Sequence, residues 1–121
     1  MLDHLIICVA DYDASNHFYL KALEPLGFKT LLKSPKAVGF GIDGKPEFFI
    51  READPVSSPV HIAFSSNDRE TVDQFFAAAL AAGGIDNGRP GLRSGYHSNY
   101  YAAFVFDPDG NNIEAVCHKS P

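Results

Sequence analysis

The sequence predicts an α+β fold made of two tandem βαβββ modules. Three observations carry that expectation: an internal repeat, a helical apolar pattern after each repeat start, and glycine-rich turns between strand-like segments. His4-Leu5-Ile6-Ile7 overlays His61-Ile62-Ala63-Phe64 at an offset of 57. Asp11 then falls on Asp68, Phe18-Tyr19 on Phe75-Phe76, Ala22-Leu23 on Ala79-Leu80, and Gly27 on Gly84. Self-similarity of this length marks a duplicated supersecondary unit.

The first strand starts at His4. Alternation puts Leu5, Ile7 and Val9 on one face and His4, Ile6 and Cys8 on the other. Asp11 or Asp13 then caps a helix, because a short carboxylate accepts from the free amides of the first turn. Phe18, Ala22, Leu23 and Leu26 recur at helical spacing, and Gly27 ends the helix. Strand-like stretches follow at about 29–32, 37–42 and 47–52. In the second module Asn67 or Asp68 caps a helix with Val72, Phe75, Phe76, Ala79 and Leu80 on one face, ended by Gly83-Gly84. Its later strands fall near 84–87, at 100–106 and at 111–118. Residues 41–48 match residues 107–114 at an offset of 66, and both contain an Asp-Gly turn. The change of offset places an insertion in the second module, the loop 88–99. Pro55, Ser57, Ser58 and Pro59 mark a linker at about 54–59, so the modules span about 1–54 and 60–121 of a single domain.

Composition narrows the function. A chain of 121 residues, 45% hydrophobic and 12% aromatic, can bury a core without staples. A net charge of −5 with 10 Lys and Arg and no basic run argues against nucleic acid as partner. No apolar run reaches membrane-spanning length. The N-terminal residues lack the pattern of a secretory signal. Cys8 and Cys117 show neither disulfide-framework nor metal-type spacing, which fits free thiols in a reducing cytoplasm.

The same alternation sets His61, Ala63 and Ser65 against Ile62 and Phe64, and Asn112, Glu114 and Val116 against Ile113, Ala115 and Cys117. The apolar sets suit helix-covered faces. His4, His61 and Glu114 then lie on open faces that a duplicated pair can bring around one cavity. Two imidazoles and a carboxylate suit a divalent ion such as zinc, nickel, manganese or ferrous iron, with positions left for water and substrate. At the offset of 66, Phe48 takes the place of Glu114, so an aromatic wall stands where a fourth ligand would be.

These residues carry a resemblance. Leu2-Asp3-His4-Leu5, Phe18-Tyr19, Leu26-Gly27-Phe28, His61-Ile62-Ala63-Phe64 and, most specifically, the run 106–114 (FDPDGNNIE) resemble the vicinal oxygen chelate superfamily over essentially the whole chain. That superfamily includes glyoxalase I, fosfomycin-resistance enzymes, extradiol dioxygenases and bleomycin-resistance proteins. The resemblance implies one divalent metal ion on His4, His61 and Glu114. It also implies a homodimer, with modules paired within or between chains. Phe48 departs from the glyoxalase I pattern, where a fourth ligand is expected. In the inserted loop Arg93 and His97 are candidate substrate contacts. Tyr101 joins them if the Asp-Gly turn pairs Ala103 with Glu114, and Phe48 is the fourth candidate. Glu52 shares strand parity with Phe48 and is a weak candidate base. Three functions follow as expectations: a metal-dependent lyase, isomerase or transferase acting on a small oxygen-rich substrate, a ferrous dioxygenase, or a metal-free ligand-binding protein.

Overall fold

The computed structural model describes all residues, 1–121. The first module runs β1 (Leu5–Val9), α1 (Tyr12–Leu23), a 3-10 turn (Glu24–Leu26), β2 (Lys29–Ser34), β3 (Ala37–Ile42) and β4 (Lys45–Glu52). The second runs β5 (His61–Ser65), α2 (Arg69–Ala81), β6 (Ile85–Leu92), β7 (Tyr101–Phe106) and β8 (Asn112–Cys117). Each module is a four-stranded mixed sheet, ordered β1-β4-β3-β2 and β5-β8-β7-β6. The parallel pairs are β1 with β4 and β5 with β8, and the other ladders are antiparallel.

Both helices start where the caps predict. The Asp11 carboxylate accepts from the Ala14 amide at 3.1 Å, and Asp68 accepts from Thr71 at 2.7 Å. Each contact satisfies an amide that the helix itself leaves free. Gly27 closes the 3-10 turn with φ of 90°, and Gly83 follows α2 at φ 100°, both in the left-handed region.

Three differences from expectation bear on the site. β2 continues to Ser34. β6 runs on to Leu92, through Gly88, Pro90 and Gly91, so the inserted loop shrinks to the segment between Leu92 and Tyr101. Glycine and proline hide β6 in the sequence. It is an edge strand, bulged twice, where a missing amide costs no ladder bond. The third difference is register. β3 and β4 are joined by two residues, Asp43 and Gly44, at φ 54° and 77°, the conformation of a type I′ hairpin turn. Between β7 and β8 lie five residues, closed by Asp107 Oδ1 accepting from the amides of Asp109 and Asn111. Phe104 therefore faces Glu114, and Ala103 faces Ala115. The equivalent pair in module one is Gly39 and Phe49. The counterpart of Glu114 is thus Phe49 rather than Phe48. Similar turn sequences hide a loop difference that moves the strand by one residue.

One core of 21 buried residues serves both modules, from Ile7, Phe18 and Phe48 in the first to Phe64, Phe75 and Ile113 in the second. α1 packs on sheet one, α2 on sheets two, and the helices touch each other. The helix-covered faces are therefore the ones joined within the chain, and the open faces lie outside that core. Within one chain, then, the open faces do not face each other across the core.

Tyr19 on α1 links the modules by donating to Asp107 Oδ2 in the β7–β8 loop, where the hydroxyl and carboxylate are both buried. Burial, with the Asp107 charge beside it, drives the Tyr19 hydroxyl well above its ordinary pKa.

Candidate functional site

The open face of sheet two gathers polar chemistry. His61 begins β5, and Glu114 lies in central β8, one residue further along that face. His61 Nε2 stands 2.8 Å from Glu114 Oε1. The other carboxylate oxygen, Oε2, accepts from the Tyr100 hydroxyl. Glu114 is 1% exposed, whereas the His61 side chain is 53% exposed. A buried acid is thus held between an imidazole that solvent reaches and a phenol. Burial first, and the Glu114 hydrogen bond second, push the Tyr100 hydroxyl up to about 12.

Around this pair the face is aromatic. Phe104, opposite Glu114, has its ring centroid 6.2 Å from that of His61. The Arg93 guanidinium lies over the Phe104 ring at 5.3 Å. Tyr100 meets Tyr96 and His118 edge-on at 5.0 and 5.1 Å. His97 meets His118 at 5.8 Å, and its Nδ1 accepts from the Asn99 amide at 3.0 Å.

His4 lies elsewhere in the chain. Its Nδ1 is 2.8 Å from Asp3 Oδ2, and its ring stands edge-on to Phe49 at 5.7 Å. A cavity of about 220 Å³ runs from His4 and Glu47 to Ala63 and Phe64 at the edge of module two. No three His, Cys, Asp or Glu residues within one chain lie close enough together to hold a metal ion. The structure therefore joins His61 to Glu114 and leaves His4 apart.

The one-residue register sets two of the expected substrate contacts, Phe48 and Tyr101, off the face that carries Glu114. Phe48 is 2% exposed and packs against Tyr19, Phe40 and Phe64 in the core, and its edge lines the cavity beside His4 rather than the face that carries Glu114. Tyr101 pairs with buried Cys117 and donates to Asp73 on α2 at 2.6 Å, with Arg69 over its ring at 5.1 Å. Its neighbour Tyr100 takes the place expected of it. Glu52 has a structural contact: its Oε1 accepts from the Tyr12 amide at 3.0 Å and supports the start of α1. Phe49, Phe104 and His118 went unseen in the sequence. Their signal was open-face parity, usable only once the register was known.

His61 and Glu114 fit half of a metal centre. Imidazole nitrogen and carboxylate oxygen are ordinary ligands of zinc, manganese and ferrous iron. On a tetrahedral ion with bonds of about 2.1 Å, two ligand atoms stand about 3.4 Å apart. The observed 2.8 Å therefore requires only a small opening of the pair.

Residues 1–115 match the family model described as Glyoxalase/Bleomycin resistance protein/Dioxygenase superfamily. With its two βαβββ modules, the chain belongs to that superfamily. A glyoxalase/bleomycin resistance protein from Albidiferax ferrireducens is similar at 28% identity and a TM-score of 0.81, covering 100% of this chain and 99% of that one. A hypothetical protein from S. aureus shares 30% identity at a TM-score of 0.67, over 97% and 95% of the two chains. A glyoxalase-related enzyme from Fulvimarina pelagi, 18% identical, shares the fold at a TM-score of 0.76 over 97% and 87%. No curated protein matches the chain.

Proposed function

We propose that the protein is a divalent-metal-dependent, glyoxalase-like enzyme that acts on a small substrate through two neighbouring oxygens. The observation that carries this is the His61–Glu114 contact on an open sheet face, with Tyr100 fixing the second carboxylate oxygen. The active form in this proposal is a homodimer, in which His4 of one copy meets His61 and Glu114 of the other. Two features support it. His4 is separated from the pair within the chain. Its Nδ1 is also held by Asp3, which leaves Nε2 as the coordinating atom, an arrangement common among metal-binding histidines.

When bound, the ion supplies Lewis acidity to the substrate oxygens. The chain's own residues do the rest. Tyr100 orients the Glu114 carboxylate and stays protonated through the neutral range. Phe104, and Phe49 beside His4, form apolar walls that exclude water. A metal-free ligand-binding role is the second reading, favoured by the Tyr96, Tyr100, His97 and His118 rings grouped beside Glu114.

Elemental analysis of the protein as isolated, then after exposure to zinc, nickel, manganese and ferrous iron, tests the metal. Retention near one ion per chain, lost in Glu114→Gln, is expected. Retention of none would discard the proposal and favour the binding protein, whose ligand affinity His4→Ala leaves intact. If iron is the ion retained, oxygen uptake on catechols separates a dioxygenase from non-redox chemistry. Mixed dimers test the sharing of ligands. A His4→Ala chain paired with a Glu114→Gln chain retains about half the metal if copies share ligands, since one complete site survives, and none if each chain binds alone.

A further inference from the structure

Arg93 sits one residue beyond β6, on the open face that carries Glu114. Its amide donates to the Tyr100 carbonyl at 2.7 Å, which ties it to the residue that orients Glu114. Its guanidinium is held in a built seat. Nη1 donates to the Gly91 carbonyl at 2.9 Å and Nη2 to the Arg89 carbonyl at 2.8 Å. The Phe104 ring forms the floor.

Two glycines make room for it. A Cβ on Gly88 would lie 2.9 Å from the Phe104 ring and 3.3 Å from Arg93 Nη2. A Cβ on Gly91 would lie 3.2 Å from Nη1. The same glycines and proline that obscured β6 in the sequence thus shape an arginine pocket. Yet the charge is unanswered. Arg93 forms no ion pair, whereas nearby Arg89 reaches Asp86 at 3.7 Å. Two carbonyl contacts use two of five guanidinium N–H donors, and three remain for a ligand. A half-buried, pre-oriented fork with no counter-ion is costly unless an anion arrives to fill it.

We propose that Arg93 is the anion-recognition group of this site, so that the substrate carries an oxyanion, carboxylate or phosphate, apart from the oxygens directed at His61 and Glu114. Phe104 lies between the two positions, with His61 near one side of its ring and Arg93 over it. The substrate class is therefore a short anion with an apolar body. The placement of its chelating oxygens rests on the metal-site proposal, but anion capture by Arg93 needs no metal.

The test uses the full-length protein stripped of metal. Benzoate, phenyl phosphate and benzyl alcohol are titrated while the Arg93 side-chain Nε–H is followed by NMR. Saturable movement with benzoate or phenyl phosphate, and none with benzyl alcohol, is expected. The anion that binds tighter identifies the group as carboxylate or phosphate. Arg93→Gln weakens that binding about tenfold or more, the loss of one charge-assisted forked contact. Arg93→Lys retains part of it, and Arg89→Gln changes nothing. Gly91→Ala keeps the charge but crowds the seat, and weakens binding even if Arg93→Gln disturbs the fold. Equal movement with benzyl alcohol, no saturable movement with either anion, or unchanged binding in both Arg93→Gln and Gly91→Ala overturns the proposal. Failure of the metal proposal shows separately, as loss of metal retention.

Discussion

One carboxylate serves two partners on sheet two: Glu114 receives the Tyr100 hydroxyl on one oxygen and faces the His61 imidazole with the other. The consequence for Tyr100 is measurable. Its folded-state pKa lies near 12 against an ordinary 10.0, first through burial and then through the acid beside it. A raised pKa means that the contact's stabilisation is complete below the ordinary value. Above it the unfolded chain releases the proton that the folded chain retains. Stability therefore falls as pH rises from about 10 toward 12. Tyr100→Phe should remove one tyrosinate step near 12 from the ultraviolet titration and flatten that loss. In the same variant the Glu114 carboxylate is freed to rotate, so on the proposed metal site ion retention should weaken while the chain stays folded.

Elements are joined here at close range, and glycine decides one junction. Gly84 connects α2 to β6 where a Cβ would lie 2.4 Å from Val105 Cγ1, 2.7 Å from the Phe18 ring and 2.8 Å from the Ala79 carbonyl oxygen. The carbonyl is backbone and cannot turn aside. Gly84→Ala should cost about 1–3 kcal/mol as overpacking, seen as a lower urea midpoint with an unchanged slope. Adjacent Gly83 has nothing within 4 Å of its would-be Cβ, but its φ is 100°. Gly83→Ala therefore costs only the backbone term, about 1 kcal/mol. The order of the two losses separates crowding from conformation.

At the scale of the molecule, the modules are held by a shared core and by a polar clasp. Asp107 accepts from Tyr19 of module one and also from the side-chain amide of Asn111 at 2.9 Å. Asn111 in turn accepts from the Val60 amide at 2.9 Å, and the Ser58 hydroxyl donates to the Asp109 carbonyl at 2.8 Å. The β7–β8 loop thus binds α1 and the linker together. Tyr19→Phe removes one hydrogen bond to a buried charge and should cost about 2 kcal/mol, measured by urea unfolding. Because Asn111 and the loop amides still satisfy Asp107, the modules should unfold in one transition rather than two.

The sequence by itself determined the duplicated modules and narrowed each helix cap to two residues, Asp11 or Asp13 and Asn67 or Asp68. Those features rest on local chemistry: a short acid beside free amides, apolar residues at helical spacing, and the side-to-side alternation of strands. It also set His61 and Glu114 each on the face of its own strand opposite the apolar set, since parity within a strand needs no tertiary information. Only the tertiary structure decided register and pairing. Two hairpins with the same Asp-Gly signal contain two and five connecting residues, and that difference exchanged Phe48 for Phe49 and Tyr101 for Tyr100. A one-residue slip is invisible to composition, yet it sends every side chain of a strand to the opposite face. Which faces meet is likewise a matter of long-range packing. The helix-covered faces share the core, and within one chain His4 lies apart from His61 and Glu114.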